Sequence, residues 1–113
     1  MKAIDWNALE KDVEAQVIAL AEAMFKGWAK QAASDAKDFL LKSKDFLATA
    51  AKQLASGEID QELFKSELRG RLDDAEFLAL EEVGLTQVRL DMFKNGMIDI
   101  LTSVVTGAIK AAL

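Results

Sequence analysis

Apolar residues recur along this chain in steps of three and four. Starting from Asp5, a residue type suited to cap a helix N-terminus, they fall at Trp6, Leu9, Val13, Val17, Leu20, Met24 and Trp28. That spacing marks one buried face of a helix, and its eleven-residue period, about 3.67 residues per turn, keeps the helix nearly straight. The same stripe continues through Ala32, Ala36, Phe39, Ser43, Phe46 or Leu47, Ala50 and Leu54, with KDFLLKS at 37–43 echoed by KDFLATA at 44–50. No polar loop surrounds Gly27, and the register passes it unshifted. The periodicity therefore predicts a single helix over about 5–55.

Ser56-Gly57 is the one strong turn signal, because glycine at the position after a helix takes up the left-handed conformation readily. Beyond it a second stripe reads Leu68, Leu72, Ala75, Ala79, Val83, Thr86, Leu90, Phe93, Met97, Leu101, Val104, Ala108 and Ala112. It predicts a second helix over about 58–112, with Gly84 and Asn95-Gly96 as kinks and Asn95-Gly96 as the stronger break. Two helices of equal length around one turn make an all-α antiparallel hairpin, with arms of about 75–80 Å at 1.5 Å per residue. In that register Trp6 faces Gly107, Val17 faces Gly96 and Trp28 faces Leu85. The alternative is a compact four-helix bundle with turns near Gly27, Gly57 and Gly84. Either way the chain is a single helical domain over 1–113.

The segment from Met92 onward sharpens the picture. Between Met97 and Ile109 its only charge is Asp99, so apolar groups cover most of the helix and several neighbours must enclose it. Its β-branched residues, Ile98, Ile100, Thr102, Val104, Val105 and Thr106, also suit a strand, but a lone strand has no partner in this chain. A two-helix rod has too little interior to bury such residues. The hairpin is therefore expected to self-associate into a helical bundle or coiled-coil oligomer. The expected interface is Trp6, Val17, Trp28, Leu90, Phe93, Met97, Leu101, Val104, Val105 and Ile109.

Composition narrows the function classes. The chain is 51% hydrophobic and 29% charged, with a net charge of −5, a globular balance whose acidity opposes nucleic acid and simple docking on anionic membranes. Lys30, Lys37, Lys42, Lys44 and Lys52 stand against Asp35, Asp38 and Asp45 over 30–56, whereas 57–83 carries nine acids and three basic residues. Those halves are complementary across the expected hairpin and leave an acidic tip near Gly57 that would suit an unknown protein partner. No run reaches the ~18 apolar residues that a membrane-spanning helix requires. The opening residues have no basic start followed by an apolar run, so a cytoplasmic location is expected.

Motifs that would carry chemistry fail on their own terms. Gly57, Ile59 and Asp60 match the sixth, eighth and ninth positions of an EF-hand loop, but the first, third and fifth would be Lys52, Leu54 and Ser56, and the twelfth is Leu63 in place of glutamate. The carboxylates at Glu62, Glu67, Asp73, Asp74, Glu76, Glu81 and Glu82 resemble a di-iron ligand set in number only, since such bundles also use Glu-x-x-His and this chain has no His. Without His or Cys there is no imidazole base and no thiol nucleophile. No cofactor, metal or catalytic residue is expected, and the chain is not expected to be an enzyme. Trp6 and Trp28 suit packing better than lipid anchoring. Small residues at Ser103, Gly107 and Ala111 allow close helix approach. The expectation is a non-enzymatic interaction or scaffold protein that homo-oligomerises through its apolar terminal segments. The alternative is a peripheral lipid-binding or membrane-active helical protein, with membrane possible but not favoured.

Overall fold

Glycines at positive φ and capping carboxylates set several of the helix ends in this chain. In a computed structural model, which describes residues 5–24 and 27–112, the helices are α1 (Trp6–Met24), α2 (Ala29–Lys42), α3 (Lys44–Ser56), α4 (Gln61–Asp74), α5 (Leu78–Glu82) and α6 (Gln87–Ala112). No strand occurs among the described residues. Asp5 caps α1 as its side chain suggests: Oδ1 accepts from the backbone N–H of Asn7 at 3.1 Å and of Ala8 at 3.2 Å.

The single helix expected over 5–55 is instead α1, α2 and α3, and the second one is α4, α5 and α6. Gly27, Gly57 and Gly84 all lie at positive φ, at 89°, 82° and 79°, a region that costs other L-residues about 1–2 kcal/mol. These are the positions of the compact alternative, so Gly27 and Gly84 are turns and not kinks. Between α2 and α3 the chain only bends, because Ser43 N–H donates to Phe39 O at 2.9 Å and Leu47 N–H to Ser43 O at 2.8 Å. α4 ends where Ala75 turns extended, at φ −77° and ψ 147°, without help from Gly or Pro.

Folding back shortens the molecule to 43 × 23 × 21 Å with a radius of gyration of 13.9 Å, close to the ~13 Å of a folded chain this long. Arms of 75–80 Å do not form. The physical reason is the one that made a lone hairpin implausible: stacked helices bury a stripe that a two-helix rod leaves wet. α1 packs on α2 and α6, α4 on α6, and α5 on α2. Their shared interior includes Leu9, Val13, Val17, Phe39, Leu47, Phe64, Leu68, Leu72, Phe77, Leu80, Phe93, Met97 and Leu101.

Asn95-Gly96 is not a break. α6 runs through it from Gln87 to Ala112, and a Cβ built at Gly96 would overlap the side chain of Leu20. The glycine is there so that α1 can approach α6 closely, within one turn of the pairing with Val17 that the register predicts. Gly70 serves no close approach of this kind. It is exposed inside α4, and an added Cβ would meet nothing within 4 Å. Gly70→Ala is expected to stabilise the protein by about 0.5–1 kcal/mol, since alanine loses less backbone entropy in a helix. Urea denaturation followed by circular dichroism measures this; an unchanged or lower midpoint refutes it.

Candidate interaction surface

The residues expected to meet other copies are mostly spent inside the chain. Val17, Leu90, Phe93, Met97, Leu101, Val105 and Ile109 are buried against other helices of the same molecule, while Trp28 and Val104 are half-buried at the edge of that core. The side chain of Trp6 lies outside the described residues. At the seven buried positions the folded-back helices supply the cover that a hairpin would have needed from further copies.

Two polar positions explain how α5 is held. Asp35 of α2 is buried, its Oδ1 accepting from Ala79 N–H at 3.1 Å and its Oδ2 from Leu80 N–H at 2.8 Å. Lys94 of α6 is also buried; its Nζ lies 3.8 Å from Asp73 Oδ1 and 5.6 Å from the centre of the Phe77 ring. Phe77 in turn meets Phe93 edge-to-face, with centroids 6.3 Å apart and planes at 88°. Each group has a structural partner.

Between α4 and α6 runs a polar groove made of two adjoining hollows of about 450 and 490 Å³, both lined by Lys65 and Asp99. Ser103 and Gly107 line the first. An added Cβ at Gly107 meets nothing within 4 Å, so the close approach expected of the Ser103, Gly107 and Ala111 stripe occurs instead at Gly96. Among the described residues no group of three or more Asp or Glu is placed to hold a metal ion. Asp60 is occupied as the N-cap of α4, accepting from Leu63 N–H at 2.8 Å. Among the described residues no helix is long and apolar enough to cross a membrane.

What remains for a partner is the outer surface, and two parts of it stand out. Val88 and Met92, one turn apart on α6, are 70% and 54% exposed. They lie off the main stripe, which is why periodicity passed over them; the signal available was an apolar pair at i and i+4 on the wrong face. The second part is the lysine-rich outer side of α2 and α3. The charges of 30–56 and 57–83 do not neutralise each other as the hairpin required: among the described residues the ion pairs are Lys42–Asp38 at 3.0 Å, within α2, and Lys94–Asp73, between α6 and α4. The Asp38 hydrogen bond and charge hold the Lys42 pKa above its ordinary 10.5, so Asp38 is engaged locally.

No family model, curated protein or solved structure matches the chain.

Proposed function

We propose that the protein is a non-enzymatic interaction or scaffold protein that self-associates, built as a four-helix-like bundle in which α2 and α3 act as one bent helix. The observation that carries this reading is the exposure of Val88 and Met92, 70% and 54%, as neighbours one turn apart on one helix face. Apolar side chains grouped on a surface are what contact sites are made of, whereas single exposed ones are ordinary. The groove between α4 and α6 supports no rival reading, because its hydroxyls, Lys65 and Asp99 include no activated nucleophile with a paired base.

Self-association then runs through the outer side of α6 and not through its buried stripe. The test is light scattering coupled to size-exclusion chromatography over a range of concentrations. Wild type is expected above the 12.4 kDa of one chain, with Val88→Gln/Met92→Gln lowering the mass at equal helicity. A wild-type mass of one chain at every concentration overturns the reading.

A further inference from the structure

Along the bent α2–α3 unit, Lys30, Ser34, Lys37, Leu41, Lys44, Ala48 and Lys52 follow one another in steps of three and four, and all but half-buried Ala48 are exposed. The helical hydrogen bonds that persist across Ser43 keep these positions on one side. Four ammonium groups thus attach about 10–12 Å apart along one line, with no acid among them. Of the three carboxylates of this unit, Asp35 is buried under α5 and Asp38 is paired with Lys42, which leaves Asp45. A protein of net charge −5 therefore carries a concentrated basic stripe, and among the described residues its lysines make no ion pair.

The matching surface is on the same chain. Asp60, the N-cap of α4, and Glu67 and Asp74 within it occur at seven-residue intervals, the same repeat as Lys30, Lys37 and Lys44, while Arg71 between the last two lies over the Phe46 ring at 4.6 Å. Asp60 and Asp74 are exposed and Glu67 is half-buried. No ion pair joins the two ladders among the described residues. We infer that the lysine stripe of α2–α3 docks on the acidic side of α4 of a second copy. This rests on the self-association proposed above and adds a second, charged contact to it.

Other anionic partners fit less well. Lipid insertion needs an apolar face next to the basic one, but the apolar face of α2–α3, with Ala32, Ala36, Phe39, Leu40 and Leu47, is buried in the core, which leaves the single side chain of Leu41 exposed among the lysines. Nucleic acid meets the field of the whole molecule, whose sign repels phosphate. A second copy is repelled as well at long range, but at physiological salt the Debye length of about 8 Å screens net charge and leaves the local match of the ladders.

Sedimentation equilibrium at about 150 mM and about 1 M NaCl, where the Debye length is about 8 Å and about 3 Å, tests this in the Val88→Gln/Met92→Gln background, which lacks the apolar contact. The mass is expected to exceed 12.4 kDa at low salt and to fall toward it at high salt. Adding Lys37→Glu/Lys44→Glu, or adding Glu67→Lys/Asp74→Lys, is expected to weaken association at least about tenfold, since exposed pairs are individually weak but are here replaced by repulsion. Mixing these two charge-reversed proteins one to one is expected to restore it. A mass that ignores salt and both reversals overturns the charged contact while leaving self-association standing. A one-chain mass both for this background and for wild type overturns both. Co-sedimentation of wild type, but not Lys37→Glu/Lys44→Glu, with phosphatidylserine vesicles and no rise in mass overturns it in favour of a lipid surface.

Discussion

Leu101→Asp is expected to unfold the chain, not merely to dissociate an assembly. Leu101 is fully enclosed by its own molecule, in the α6 stripe between Met97 and Val105. Removing the leucine atoms alone costs about 2–5 kcal/mol at such a site. Placing an unpaired carboxylate there adds a desolvation penalty of several kcal/mol, because the buried cation of this helix, Lys94, lies two turns away and is engaged by Asp73. A domain of this size has about 5–15 kcal/mol in total, so the sum takes most or all of it. Circular dichroism against urea should show a lost or strongly shifted transition. Val88→Asp, at a position 70% exposed on the same helix, should move stability by no more than about 0.5 kcal/mol. Should Leu101→Asp keep its helicity and urea midpoint and lose only its assembled mass, the enclosure of Leu101 would come from another copy.

That contrast separates what the apolar pattern carries from what it does not. Steps of three and four identify the buried face correctly: Leu9, Val13, Val17, Leu68, Leu72, Leu90, Phe93, Met97 and Leu101 are all interior. They do not say which element covers that face. A stripe continues in register on both sides of a reversal, because each helix presents its own segment of the stripe to one shared core. Gly27 and Gly84 therefore leave no trace in the spacing, and only their φ distinguishes a turn from a kink. The stretch after Ala75 fails in a different way. The extended residue at Ala75 resets the helical phase, so Phe77 and Leu80 are buried, while Ala79 and Val83, which continue the stripe, are half-buried. Nothing in Asp74-Ala75-Glu76 announces that break.

The candidate surfaces were legible by half. Counting Lys against Asp over 30–56 reveals the charge asymmetry, yet its expected neutralisation within the hairpin disappears once the helices fold differently. Val88 and Met92 are visible as apolar residues but not as exposed ones, since exposure depends on the neighbours of α6. Asp35 is the hardest case. On sequence it is one more acid beside Ser34 and Lys37, and the two amides it serves lie 44 and 45 residues away.

Asp35→Ala is accordingly expected to have the second largest effect. α5 has five residues, fewer than a helix needs to outweigh the entropy of its own nucleation, so tertiary contacts must fix it. Packing contributes through Leu80 and the N-cap residue Phe77, both buried, and the N-terminal amides contribute through the Asp35 carboxylate. Each oxygen takes one N–H, at 3.1 Å and 2.8 Å, and hydrogen bonds to an ionised acceptor are the stronger kind. Alanine leaves the buried Leu80 donor and the half-buried Ala79 donor without a partner, at about 1–3 kcal/mol apiece with Ala79 at the lower end. A loss of about 3 kcal/mol is expected in urea denaturation. Asp35→Asn keeps one acceptor oxygen but turns an NH2 toward the second amide, so its loss should be nearly as large. Hydrogen exchange supplies the independent check: the Ala79 and Leu80 amides should exchange markedly faster in Asp35→Ala, beyond any general acceleration seen in α1 and α6. A destabilisation below about 0.5 kcal/mol, with those two amides still protected, would mean that Phe77 and Leu80 hold α5 by packing alone and that the carboxylate is dispensable.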